Sequence, residues 1–288
     1  MTTPAAIHDL GYRRYDGPRL SSVGSWRAMY GQALRAMFGL GRPLKAKAVP
    51  ALVCTMAVLP ALALVTASSA SNGQLPVRYG PLIGGQALIY ALFVAAQVPE
   101  VISRDLQHRL LPLLFTRDVT PASYAMARLV AIFTAVWMVA LAPLLVLYLG
   151  EIGIAKDPAA TVAVMGTRLG PVLAQSTLTA LSMTGVAAAM AGWTARRAFA
   201  TAAIFGTFLL LVAISLGLDD LAGVPVRLAE LLDPLRALRT TALVLFGDTT
   251  RGMTQEPPPP IGVYVAVAVT HAVIGTLVLR WRIRRMRV

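Results

Sequence analysis

Long stretches without a charged residue dominate this sequence. Six of them exceed twenty residues, whereas the next longest has ten. The six are residues 48–77, 79–99, 129–150, 169–195, 198–218 and 257–279. A membrane-spanning helix needs about 20 apolar residues, and these stretches lack the apolar–polar alternation of a membrane strand. The pattern therefore predicts an all-α membrane protein whose six transmembrane helices lie at roughly 49–68, 81–101, 128–149, 169–191, 198–217 and 261–281.

The composition fits a membrane protein and excludes two other classes. Hydrophobic residues make up 57% of the 288 residues, charged residues only 14%, and the mean hydropathy is +0.67. These values exclude a disordered chain and make a soluble domain a poor description. The single cysteine, Cys54, excludes a disulfide framework and a multi-cysteine metal site.

The positions of the basic residues predict the orientation in the membrane. Six spans place both termini on one side, and that side carries nineteen Lys and Arg residues against seven on the other. Because Lys and Arg collect on the cytoplasmic side, we expect both termini in the cytoplasm. Contact with anionic lipid then accounts for the net charge of +13, so we predict no nucleic-acid partner.

The N-terminal region 1–47 precedes a transmembrane domain at 48–288, and 21–41 within it has the pattern of an amphipathic helix. The predicted apolar face contains Trp26, Tyr30, Ala33, Leu34 and Met37. Gln32 and Arg35 point away from that face. We expect this helix to lie flat on the membrane surface. The alternative is a soluble helix packed against the rest of the protein.

Two polar segments outside the spans have helical patterns. In and just before the predicted cytoplasmic loop 103–121 lie two pairs of opposite charge, Glu100 with Arg104 and Asp105 with Arg109, followed by a run of leucines. A short amphipathic helix there would suit docking to a partner, and a tight solvated loop is the equal alternative. The predicted extracellular loop 219–256 is too long for a turn, and its periodic leucines predict one or two short helices.

The sequence lacks the motifs of several kinds of catalytic site. It contains no G-x-x-x-x-G-K-[ST], H-E-x-x-H, C-x-x-C or G-x-S-x-G, so we predict no catalytic residue, metal or bound cofactor. His271 is the one histidine within a span. It could belong to a proton relay, but a neutral histidine bonded to a neighbouring helix is commoner. The remaining interpretation is a membrane conduit or conformational device driven from elsewhere.

Several segments resemble one family of membrane proteins. They are HDLGYRRYDGPRL at 8–20, FGLGRPLKAK at 38–47, PEVISRD at 99–105, and the regions 110–117 and 124–128. Together they are similar to bacterial ABC-2-type transporter permeases. The resemblance implies an ABC-2 (type V exporter-like) permease fold with an N-terminal interfacial helix, in the bacterial cytoplasmic (inner) membrane.

The resemblance also implies partners. Permeases of this family carry no ATPase, and pair with a second permease chain, identical or different, and with separate ATPase subunits that bind ATP and Mg²⁺. A coupling helix after the second span contacts the ATPase, which corresponds to about 103–116 here. The docking residues implied are Glu100, Arg104, Asp105, His108 and Arg109.

In that family the second and fifth spans commonly line the translocation path. The implied path residues are Gln86, Tyr90, Gln97, Thr201, Thr207 and Ser215. Such an apolar path favours export of an amphipathic or lipidic substrate. The competing hypotheses are a non-transport membrane scaffold or assembly factor, and an intramembrane enzyme in which a second ionisable group meets His271.

Overall fold

The computed structural model describes residues 17, 21–72, 74–108, 110–116, 119–155, 157–194, 196–247 and 258–285. Within these residues the chain forms eleven helices and no strand. The six long helices are α2 (Leu44–Ala70), α3 (Tyr79–Val101), α6 (Pro121–Ile154), α7 (Pro158–Trp193), α8 (Arg197–Asp220) and α11 (Ile261–Arg285). The five short ones are α1 (Ser22–Met37), α4 (Ser103–Gln107), α5 (Leu110–Phe115), α9 (Val226–Leu232) and α10 (Pro234–Phe246).

The six long helices are each long and apolar enough to cross a membrane. Within the described residues the prediction of an all-α chain is therefore confirmed, and the six predicted spans correspond to six membrane-competent helices, as in a multi-pass membrane protein. Some helices exceed the predicted spans, because a helix continues past its apolar part. At the start of α6, the Thr120 side chain accepts a hydrogen bond from the Ser123 amide and Pro121 occupies the first turn, as expected of a helix cap.

The bundle has two distinct ends. At one end, called here the basic end, α1, α4 and α5 lie beside the ends of α3, α7 and α11 and the starts of α6 and α8. Contacts across it include the Ser103 hydroxyl on the Ala191 carbonyl at 3.2 Å and the rings of Trp193 and Trp281. At the opposite end, α10 meets the start of α3, where the rings of Tyr79 and Phe246 stack 4.6 Å apart.

Three helices form the centre of the bundle. At least half of the most apolar window of α3, α6 and α7 is buried inside the chain, whereas less than a quarter is buried in α2, α8 and α11. The latter three present apolar outer faces, as expected of helices that face lipid or another subunit. The core of the fold therefore lies among α3, α6 and α7. The hydrophobicity of a helix alone does not predict whether it belongs to this core.

The N-terminal helix α1 packs along α6 and α3. Ala33 and Met37 are fully buried, and the Tyr30 hydroxyl donates to the Thr134 hydroxyl at 3.3 Å. The predicted helix and most of its apolar face are present, but that face contacts protein. Gln32, predicted to point away, is exposed yet accepts a hydrogen bond from Arg128. A position at the membrane surface stays a prediction.

The predicted helical segment at 219–256 is present as α9 and α10 at the opposite end, and its residues 248–256 lie outside the described part. The Asp233 side chain caps α10 by accepting from the Leu235 amide at 2.9 Å. Gly247 ends α10 with a positive φ of 68°, a conformation that favours glycine. These two helices contact α3, α7 and α8, so they close the bundle at this end.

Candidate functional site

The segment after α3 forms two short helices instead of the single predicted one. Helix α4 ends at Gln107 and α5 begins at Leu110. Ser103 is fully buried and bonds to the end of α7, which anchors α4 to the bundle. Leu113 on α5 is 66% exposed. The segment is thus anchored at its start and presents an apolar side chain to its surroundings at the basic end.

A buried ion pair ties α4 to two other helices. The Asp105 carboxylate accepts from Arg128 Nη2 at 2.6 Å and from the Tyr124 hydroxyl at 2.7 Å. Arg128 Nη1 also donates to Gln32 Oε1 at 3.0 Å. The side chains of Asp105 and Arg128 are only 10% and 5% exposed. A displacement of α4 would therefore be felt by α6 and α1 through one charge-assisted network.

A second charged cluster surrounds Glu100 at the end of α3. Its carboxylate pairs with Arg42 before α2, with Arg197 at the start of α8, and with Arg104 on α4 at 3.6 Å. Arg42 is presented by the turn that follows α1, where Gly39 and Gly41 both have positive φ. The carboxylate thus joins three separate segments at the basic end.

The five predicted docking residues fall into three groups. Arg104 and His108 are exposed, as a docking surface requires. Glu100 and Asp105 instead have nearly buried side chains that pair with arginines of this chain. The predicted Glu100–Arg104 pair is present, whereas Arg109, and with it the predicted pair to Asp105, lies outside the described residues. The docking role itself stays a prediction.

Sequence reasoning missed five members of these clusters: Gln32, Arg42, Tyr124, Arg128 and Arg197. Arg42 lies 58 residues from Glu100, and Arg128 lies 23 residues from Asp105. The sequence gives no local periodicity that links side chains so far apart. The available signal was only that arginines collect at this end of the predicted spans.

Two neighbouring cavities open beside these clusters. One of about 680 Å³ is lined by polar groups that include Arg42, Glu100 and Arg104. The other, of about 400 Å³, lies against Leu113 and Leu114 of α5. Both touch Gln32, Asp105, Leu110 and Arg128. The basic end therefore has a charged cavity beside one that is partly apolar.

The predicted path residues lie largely in the interior. Gln86 donates to the Ala57 carbonyl at 2.6 Å and accepts a hydrogen bond from the Tyr90 hydroxyl. Gln97 is buried on the same helix. Thr207 donates to the Ala203 carbonyl within α8, and Ser215 donates to the Ala229 carbonyl.

Thr201 is the sixth path residue, and it is partly buried at the start of α8. Apart from Thr201 and Thr207, these side chains are enclosed within the chain, so they do not form an exposed polar surface here. Their assignment to a translocation path stays a prediction.

In the described part of the chain, the hydrogen-bond partner of His271 is a hydroxyl and not a second ionisable group. Its Nδ1 lies 3.3 Å from Ser182 Oγ on α7. This is the commoner arrangement considered above, a span histidine bonded to a neighbouring helix. Among the described residues, no group of three or more His, Cys, Asp or Glu side chains could hold a metal ion.

Comparison of the sequence with protein-family models finds no match, and comparison with curated proteins finds none that is significant.

Proposed function

We propose that this chain is the transmembrane permease subunit of an ATP-binding-cassette transporter, driven by a separate ATPase subunit and exporting an amphipathic or lipidic substrate. The observation that carries the proposal is the α4–α5 segment at the basic end. It follows the second membrane-competent helix, as a coupling helix would, and it combines exposed Arg104, His108 and Leu113 with a buried anchor.

The anchoring supports a mechanical role for this segment. Ser103 bonds to α7, and Asp105 bonds to Arg128 and Tyr124 on α6. A displacement of α4 would thus be transmitted directly to two of the three central helices, α6 and α7, without a flexible intermediate. A solvated loop, the alternative from sequence, would need none of these buried polar contacts, each of which is costly to leave unpaired.

The proposed cycle follows from this linkage. ATP and Mg²⁺ bind to the partner ATPase, and the closing of two ATPase subunits moves the α4–α5 segments of two permease chains. Asp105 and Ser103 transmit the displacement to α6 and α7. Differential binding of the ATPase to the inward-open and outward-open states shifts the population between them. The apolar span faces suit an amphipathic or lipidic substrate.

Co-purification tests the proposal directly. The tagged chain is co-expressed with an ATPase that carries the G-x-x-x-x-G-K-[ST] motif and is encoded beside it, and both binding and ATP turnover are measured in vesicles. We expect a complex with the unsubstituted chain. The double substitution Arg104→Ala and His108→Ala removes two exposed side chains and should lower ATPase binding by at least tenfold, while the free energy of unfolding falls by at most about 1 kcal/mol.

Arg35→Ala is the matched control, because Arg35 is an exposed arginine in the last helical turn of α1, at the basic end. It should leave ATPase binding intact. Equal binding by the double variant and the control would contradict the docking assignment. A chain that binds no ATPase at all would favour the competing function, a membrane scaffold or assembly factor.

A further inference from the structure

The cluster around Glu100 carries more positive charge than its acid can neutralise. Three guanidinium groups, from Arg42, Arg104 and Arg197, share one carboxylate. Among the described residues no other carboxylate pairs with these three arginines, since Asp105 pairs with Arg128. The cluster thus has a formal excess of two positive charges.

The arginines also keep unused hydrogen-bond donors. Each guanidinium offers five N–H groups, whereas a carboxylate accepts about four hydrogen bonds in all. The side chains of Arg104 and Arg197 are 50% and 59% exposed, so their remaining donors are accessible. The adjoining cavity of about 680 Å³ is lined by Arg42, Arg104 and buried Arg128. An oxyanion with several oxygens would satisfy these donors better than water.

The surroundings of the cluster indicate a lipid rather than a soluble anion. Arg42 and Arg197 lie at the starts of α2 and α8, two membrane-competent helices with largely unburied apolar windows. Two residues after each arginine in the sequence, Leu44 is 82% exposed and Phe199 is 62% exposed. A phosphate beside the arginines and acyl chains along these apolar side chains is the arrangement that a phospholipid has at a membrane interface.

We propose that Arg42, Arg104 and Arg197 form a binding site for the phosphate of an anionic phospholipid headgroup, with Glu100 holding the three guanidinium groups together. The same phosphate chemistry could come from a soluble phosphate ester, and the experiment separates the two sources. The site does not depend on the proposed transport function, because it needs only the chain and a membrane.

The full-length chain is placed in nanodiscs of phosphatidylcholine containing increasing fractions of phosphatidylglycerol, and its unfolding temperature is measured. We expect the temperature to rise to a plateau. Arg42→Gln should raise the phosphatidylglycerol fraction needed for half of the rise by at least about tenfold, as loss of a charge-assisted hydrogen bond implies. Arg197→Gln, whose side chain is more exposed, tests the site if Arg42→Gln folds poorly.

Arg35→Gln is the matched control, because it removes one exposed positive charge at the basic end without touching the cluster. It should change the phosphatidylglycerol fraction needed for half of the rise by less than about fivefold, which is the effect of one basic residue near an anionic surface. Equal shifts in the cluster variants and the control would overturn the site. Such a result would favour an acidic partner protein, rather than a lipid, as the ligand of the cluster.

A further arm adds soluble glycerol phosphate to nanodiscs of phosphatidylcholine alone. No stabilisation is expected there, and a rise equal to that with phosphatidylglycerol would overturn the lipid assignment. No ATPase is present in any arm. Failure of this proposal would therefore leave the permease proposal standing, and failure to bind an ATPase would leave this one standing.

Discussion

At the scale of single residues, Arg128 is notable for its burial, since only 4% of its surface is exposed. A buried charge is costly unless an opposite charge and hydrogen bonds offset the lost hydration. Asp105 supplies the charge and Gln32 supplies a neutral acceptor, while Arg128 Nε has no partner among the described residues. The cost of burying Arg128 is therefore offset mainly by the Asp105 carboxylate.

Removal of that carboxylate should be strongly destabilising. Asp105→Ala leaves Arg128 buried without its counter-charge, and we expect a loss of about 3–5 kcal/mol in the free energy of unfolding. Denaturant unfolding in detergent measures it. The double variant Asp105→Ala with Arg128→Met should recover most of the loss, because no unpaired charge remains. Arg104→Ala should cost at most about 1 kcal/mol, since its ion pair is half exposed.

A second residue, Asp233, links stability to pH. It is fully buried as the cap of α10, and this burial raises the pKa of its carboxyl above the usual value, although the Leu235 amide opposes the shift. The unfolded chain therefore ionises Asp233 at a lower pH than the folded chain does. The stabilisation is complete below the unfolded pKa of about 3.9 and is lost as the pH rises through the folded pKa.

Asp233→Asn tests this linkage, because asparagine keeps the cap acceptor and cannot ionise. We expect the free energy of unfolding of the unsubstituted chain to fall, relative to that of the variant, as pH rises from acid towards neutral. Unfolding measured across this pH range in detergent gives the two curves. Parallel curves would show that Asp233 does not contribute to the pH dependence.

At the scale of elements, the crossing of α7 and α11 depends on two glycines. A Cβ at Gly185 would lie 2.2 Å from the His271 carbonyl oxygen, and a Cβ at Gly275 would lie 2.2 Å from the Gly185 carbonyl oxygen. Both obstacles are backbone atoms, which cannot rotate away. Small residues that let helix backbones approach closely are a usual means of helix association in lipid.

Gly185→Ala should therefore force α7 and α11 apart despite the better helix propensity of alanine. We expect a loss of about 1–3 kcal/mol, the usual cost of overpacking, measured as a lower midpoint of unfolding. Gly170→Ala is the matched control on the same helix, where an added Cβ meets nothing within 4 Å. It should be neutral or stabilising by up to about 1 kcal/mol. A control as damaging as Gly185→Ala would contradict the crossing.

The elements show where sequence reasoning succeeds and where it stops. The six spans were predictable, because a helix in lipid must exclude charge over its whole length. The start of α6 was predictable too, from the cap pattern of Thr120 and Pro121, but its end was not, since α6 continues to Ile154 past its apolar stretch. The break in α4–α5 and the pairs of Glu100 and Asp105 depend on packing between distant segments, which no local periodicity encodes.

At the scale of the whole molecule, the contacts put α1 and the end of α11 at the same end of the bundle. That end carries Arg42, Arg104 and Arg197, together with the arginines of the last turn of α11. From the positive-inside tendency we expect this end to face the cytoplasm. The turn between α8 and α9, with the caps of α9 and α10, would then face outward.

Cysteine labelling tests this orientation, because Cys54 is the one native cysteine. In a Cys54→Ala background, Ala222→Cys lies in the exposed turn after α8 and Leu40→Cys in the exposed turn after α1. A membrane-impermeant maleimide should label Ala222→Cys in intact cells and Leu40→Cys only after permeabilisation. The reverse pattern would place α4 and α5 outside the cell, where no ATP-binding partner could reach them. It would therefore contradict both the orientation and the proposed coupling to an ATPase.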